Sequence, residues 1–247
     1  MKHAQPQGLS RRRVLQLLRQ TSDEHSLGSR IEVLSRRFLG VPYKPNPLIG
    51  SADTPEVFTA DLDGFDCVTY IETVLALARS SSVDDFVEWL RKIRYQHGRI
   101  DWKRRNHYMS AWIRNNVREG VMKPVAIPAV PTLTRERVLS VVPGLAAQRV
   151  HIKCFPKRSA PRLEPHLQSG DLIFFVSTRK NLDVFHAGII VRDGNQLSMC
   201  HASRSKALVV EQKLTEFLNA NRTTGIILMR PQSATRKSIQ RVIPGMN

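Results

Sequence analysis

The chain has 247 residues, 41% of them hydrophobic, which is long enough for one large domain with a real core and too apolar for a disordered polymer. A formal net charge of +17 predicts attraction to a polyanion: nucleic acid, an acidic membrane surface or an anionic polymer such as bacterial cell wall. Three scattered cysteines, Cys67, Cys154 and Cys200, exclude a disulfide framework, and no pair has zinc-site spacing, so neither a metal nor another cofactor is expected.

Residues 1–29 form an N-terminal extension whose stretch Ser10 to Gln20 predicts an amphipathic helix with a basic face. The run Ser10-Arg11-Arg12-Arg13 resembles a twin-arginine signal. The residues after it lack the apolar run of roughly 7–15 that a cleavable signal needs, so none is expected. No stretch approaches the roughly 20 apolar residues of a membrane span. The expected setting is therefore the cytoplasm of the producing cell, with any export proceeding without a signal peptide.

A single domain is expected over 30–230, with a helical half at 30–122, a proline-rich insert at 123–168 and a β half at 169–230. Arg30 to Leu39 has helical spacing and stops at Gly40. The stretch Asp61 to Arg79 carries the sharpest chemical signal. Asp66 is a natural N-cap, which places Cys67 in the first turn of a helix continuing through Val68, Ile71, Val74 and Leu75. Free backbone N–H groups and the positive helix end favour a thiolate there, while the bland alternative is a small buried helix residue.

Ser82 resembles a helix start leading to about Tyr95, with Phe86, Leu90 and Ile93 inward and Trp89 beside them. His107 to Arg118 predicts another helix, with Tyr108, Trp112 and Ile113 inward. Between Arg91 and Arg118 lie nine basic residues against the single acid Asp101, with aromatics interleaved, but no nucleic-acid motif is present and no nucleic-acid partner is expected. The insert holds seven of the fourteen prolines and predicts a long surface-packed segment with a little strand or turn structure.

From Ser169 the period becomes that of strands: Leu172–Ser177, Val184–Arg192, Gln196–Ala202, Ala207–Glu211 and Gly225–Met229, with a helical turn at Lys213–Asn219. Helices followed by an antiparallel meander give an α+β class. The tail, 231–247, carries only basic charges. Asp193-Gly194 is a two-residue hairpin signal that would pair Arg192 with Asn195 and set His186 directly opposite His201; a longer loop would place the two diagonally. One such histidine can act as general base while the other fixes its tautomer; the plain alternative is two half-exposed strand histidines. The order is Cys, His, His.

Four motifs in order now carry a resemblance: Gly40-Val41-Pro42-Tyr43, Phe65-Asp66-Cys67, His186-Ala187-Gly188-Ile189 and His201-Ala202-Ser203. Ser169-Gly170-Asp171-Leu172, opening the first core strand, adds to them. Together they resemble the NlpC-type papain-like cysteine peptidase superfamily. Val68-Thr69-Tyr70 replaces the common Ser-Gly after the cysteine. With Glu72, Arg94-Tyr95 and Asn106-His107-Tyr108-Met109, that departure resembles the N-acetylmuramoyl-L-alanine-amidase-like branch.

The resemblance implies a papain-like fold with the Cys67 helix packed on a C-terminal antiparallel sheet. It implies Cys67 as nucleophile, His186 as base and His201 as orienting residue, with Tyr43 beside the cysteine as a substrate-binding residue and the Cys67 N–H in an oxyanion hole. Asp66 is read as N-cap or substrate contact, His107 and Tyr108 as groove or packing residues, and Glu72 as a paired carboxylate. Cys200 should face away and be inert, and His97, His151 and His166 should be exposed. The implied reaction is cleavage of the N-acetylmuramoyl–L-alanine amide through a thioester. The alternatives are a γ-D-glutamyl–diamino acid endopeptidase and a thioester-forming acyltransferase or deamidase on the same fold. The implied partners are peptidoglycan or muropeptides. Charge without an export signal adds the expectation of an antibacterial effector with an immunity protein and secretion machinery; recycling of wall fragments competes with it.

Overall fold

Four of the five N-terminal helices begin where a side chain can satisfy their free N–H groups. The computed structural model describes residues 5–233. Ser10 accepts from the Arg13 N–H to open α1 (Arg11–Arg19), which buries Val14, Leu17 and Leu18 and leaves its arginines outward. Ser26 opens α2 (Leu27–Arg36), three residues before the expected start. Asp66 opens α3 (Cys67–Ala78) and Ser82 opens α4 (Val83–Arg94). α5 (Met109–Arg118) starts two residues late and has no side-chain cap from Tyr108. The Asp183 carboxylate, from a loop distant in sequence, accepts from the Ser110 N–H at 2.6 Å instead.

The strands are β1 (Met122–Pro124), β2 (Leu133–Leu139), β3 (Gln148–Cys154), β4 (Leu172–Val176), β5 (Val184–Asp193), β6 (Gln196–Ser203), β7 (Leu208–Lys213) and β8 (Gly225–Pro231). Short helices α6 (Ala160–Leu163) and α7 (Leu214–Ala220) lie among them. The main sheet has the order β1-β8-β4-β5-β6-β7 with every neighbour antiparallel, and β2 and β3 form a separate hairpin. The fold is mixed α+β, with the Cys67 helix packed against β5 and β6.

The insert is more ordered than its prolines suggested. It supplies β1 to the main sheet, the β2–β3 hairpin, and a bridge from Phe155 to Ile226. The reason is an unpaired edge: β8 would otherwise expose its backbone, and β1 and Phe155 cover it. The tail expected at 231–247 lies outside the described residues from 234 onward.

The sheet separates two apolar layers. Ile189, Cys200 and Ala202 join Ile71, Val74 and Leu75 on the side of α3. Phe175, Ile190 and Met199 join Phe217 of α7 on the other. One residue more on β5 than on β4, at Phe185, breaks the alternation: Phe175 pairs with His186 and Val176 with Val184.

The hairpin register differs from expectation. Asp193 pairs with Gln196 and Ile189 with Cys200, so the loop is Gly194-Asn195 rather than Asp193-Gly194. Gly194 takes φ 54° at the first loop position, which a glycine adopts without strain, and the strands slip accordingly. His186 is therefore diagonal to His201, not opposite it.

Candidate active site

Asp66 holds the start of α3 with one oxygen. Its Oδ1 accepts from the Val68 N–H at 3.0 Å, the Thr69 N–H at 2.7 Å and the Thr69 hydroxyl at 2.9 Å, while the Asp66 N–H donates back to Thr69 Oγ1. This capping box fixes Cys67 as the first helical residue. Cys67 is half-buried. The backbone N–H groups of Ala187, Cys67 and Val68 act to lower its thiol pKa.

The thiolate expected from the helix start is not favoured here. Burial, reinforced by the Asp66 carboxylate, pushes the Cys67 thiol up to about 12, outweighing the backbone N–H groups.

The two imidazoles meet on the sheet face covered by α7. His186 Nε2 lies 2.7 Å from His201 Nδ1, and His201 Nε2 lies 3.3 Å from Gln212 Oε1. The amide oxygen can only accept, so His201 carries its proton on Nε2 and accepts at Nδ1. His186 must then donate from Nε2, which leaves its Nδ1 as a free base. Burial drives both rings neutral, His186 down to about 3 with the help of His201, and His201 to about 4 against the pull of Gln212. Phe217 braces both, stacked 5.2 Å from His186 and edge-on 5.5 Å from His201.

Among the described residues no hydrogen bond joins the Cys67 sulfur to either ring. Ala187, whose backbone N–H acts on the Cys67 thiol, follows His186 in the chain.

Tyr43 completes this corner. Burial raises its phenol, and the charges of Cys67, Asp66 and Arg204 all act on it. A cavity of about 220 Å³ adjoins the helix start, lined by Asn46, Pro47, Asp66, Glu72, Arg94 and His107 among others. His107 Nε2 donates to the Trp102 carbonyl at 2.7 Å. Tyr108 lies elsewhere, buried, its hydroxyl accepting from the Val142 N–H of the insert.

Glu72 is a buried paired carboxylate. It takes Arg94 Nε at 2.7 Å and Trp112 Nε1 at 3.0 Å, while Arg94 also donates to the Thr59 carbonyl. Cys200 is buried on the α3 side, away from the imidazoles, and burial pushes it up to about 12. A larger apolar groove of about 540 Å³ between the insert and β8 holds Cys154, not Cys67. His97, His151 and His166 are exposed, His151 on β3 rather than in a loop. Gln212 and Arg204 were not singled out from sequence. Strand parity could have flagged Gln212, which β6–β7 pairing sets beside His201.

Residues 33–226 match the family model described as AmiA-like, N-acetylmuramoyl-L-alanine amidase-like. The chain belongs to this amidase-like family. A crystal structure of an N-acetylmuramoyl-L-alanine amidase from Bacteroides uniformis is similar, at 29% identity and a TM-score of 0.73, covering 84% of this chain and 99% of that one. A Legionella pneumophila protein matching the family model DUF1460 shares the fold at 21% identity and a TM-score of 0.78, covering 90% of this chain and 94% of the other. The search of curated proteins finds no match. Amide hydrolysis in peptidoglycan is the activity this amidase-like family points to.

Proposed function

We propose that the chain is a cysteine-dependent N-acetylmuramoyl–L-alanine amidase of the NlpC-type papain-like superfamily. The observation that carries this is the relay Gln212–His201–His186, which leaves Nδ1 of His186 as acceptor, next in the chain to Ala187, whose backbone N–H acts on the Cys67 thiol.

The resting pair is a neutral thiol and a neutral imidazole. Attack and proton transfer are therefore coupled: sulfur bonds to the amide carbonyl as its proton passes to His186 Nδ1. The tetrahedral oxyanion develops near the start of α3, where the Cys67 N–H and the helix dipole stabilise it. His186 then gives its proton to the leaving amine, and a thioester remains. Water, deprotonated by the same imidazole, releases the acid and regenerates the thiol. The contact between sulfur and ring that this needs forms as substrate binds, as catalytic hydrogen bonds often do.

The test is mass spectrometry of muropeptides from purified sacculi. The wild type should release stem peptides with a free L-alanine amine, and Cys67→Ala should release none. Products ending in a new diamino-acid amine would replace this reading with the endopeptidase. A persistent acyl adduct without hydrolysis would favour the acyltransferase. Delivery into a competitor's periplasm belongs to the same proposal and predicts growth inhibition relieved by a co-encoded immunity protein.

A further inference from the structure

Arg204 lies in the turn whose Ala207 carbonyl accepts from the Tyr43 N–H. It is exposed, and among the described residues its side chain makes no hydrogen bond or ion pair. Most of the other cations around the site are engaged: Lys44 with Asp61, Arg94 with Glu72, Arg105 with Glu56 and Arg36 with Glu32 and Glu211.

The position of Arg204 is held by the backbone. It follows His201 by three residues, in the turn between β6 and β7. Ser203 Oγ accepts from the Lys206 N–H at 3.3 Å, and Ala207 takes φ 56°, a left-handed conformation unusual for alanine. The far end of the turn is latched to the loop before the nucleophile. The Tyr43 N–H donates to the Ala207 carbonyl at 2.8 Å, and Tyr43 in turn bridges Phe65, two residues ahead of Cys67. One short path of hydrogen bonds therefore runs from the Arg204 turn through Tyr43 to the start of α3. The guanidinium charge acts on the Tyr43 phenol, as do Cys67 and Asp66.

An unpaired guanidinium on a held turn near the proposed nucleophile suits a planar anion, because its fork of N–H donors matches two carboxylate oxygens. We propose that Arg204 is a specificity-determining residue that binds a free carboxylate of the substrate next to the scissile amide. This rests on the amidase reading and deepens it. In wall chemistry such a carboxylate is the α-carboxyl of the second stem residue, which is either free (D-isoglutamate) or capped as an amide (D-isoglutamine). Arg204 would select the free acid, since the amide offers one acceptor and no charge.

The experiment uses the full chain with two probes, N-acetylmuramoyl-L-alanyl-D-isoglutamate and its D-isoglutamine counterpart. Binding to Cys67→Ala is measured by calorimetry, and cleavage by the active enzyme is measured in parallel. The acid should bind about tenfold tighter than the amide, and kcat/KM should differ in the same direction, mainly through KM. Adding Arg204→Gln should bring the binding ratio close to one, while Arg204→Lys should retain part of the preference. Equal binding of the two probes to Cys67→Ala, or a ratio unmoved by Arg204→Gln, overturns the role of Arg204. Preferential binding of the acid without cleavage by the active enzyme supports Arg204 and overturns the amidase reading. No binding of either probe overturns both.

Discussion

His186 Nε2 approaches His201 Nδ1 to 2.7 Å although the two residues sit diagonally across β5 and β6. Gly188 makes this possible. A Cβ there would lie 3.3 Å from His201 Cβ, 3.1 Å from Met199 Sδ and 3.2 Å from the Cys200 carbonyl. Gly188→Ala should therefore displace the His201 ring and lower kcat on the order of 10²-fold. Circular dichroism and the melting temperature should move far less. Unchanged kcat would mean that the relay tolerates misalignment.

Gln212 holds the outer end of the relay. Gln212→Ala should cost about fivefold in kcat, the worth of one neutral hydrogen bond. Gln212→Glu should keep an acceptor while adding a charge that raises His201. Its acid limb should then move to higher pH, which a pH–rate profile reads directly.

The pH dependence of stability follows from the two neutral rings. Both fall below the usual histidine value, to about 3 and about 4, so at pH values between those and about 6.5 the unfolded chain binds more protons than the folded one. Stability should thus be full above about 6.5 and fall as the pH drops towards 4. The kcat/KM profile should lack the usual histidine limb and fall only near those lower values. Cys67, raised to about 12, works in the opposite direction: its contribution is lost as pH rises above about 9. Urea titrations across pH on wild type, His201→Gln and Cys67→Ala separate these contributions.

Asp66 both caps α3 and raises the Cys67 thiol. Asp66→Ala should destabilise the fold by about 1 kcal/mol through the lost cap, whereas Asp66→Asn keeps the cap. In Asp66→Asn the thiol loses the repulsion of a neighbouring carboxylate. Alkylation by iodoacetamide should then rise at lower pH than in the wild type.

The buried pair Glu72–Arg94 anchors α3 to α4. Arg94→Met leaves Glu72 uncompensated among apolar groups and should cost about 3–5 kcal/mol by urea denaturation. Replacing both residues with apolar ones of similar volume should recover much of that loss, because it removes two desolvated charges together.

The elements legible in the sequence are those set by short-range signals. Ser10, Asp66 and Ser82 mark helix starts because a cap needs only residues within one turn. His186 and His201 were readable as same-face partners because strand parity survives a two-residue slip. The register itself was not readable, since Asp193-Gly194 and Gly194-Asn195 are both good loops and only the packing of the whole sheet separates them. The same limit hid β1, whose pairing with β8 joins residues more than a hundred positions apart. The thiol was misread because a helix terminus is visible in sequence, whereas the desolvation that outweighs it depends on what covers the sulfur.

The last strand among the described residues, β8, does not close an edge of the sheet; it enters between β1 and β4. The six-stranded sheet is therefore not continuous until Gly225–Pro231 has been synthesised. Until then β1 has no neighbour in the sheet and β4 lacks one of its two. A ribosome thus delivers the joining piece after the strands it joins.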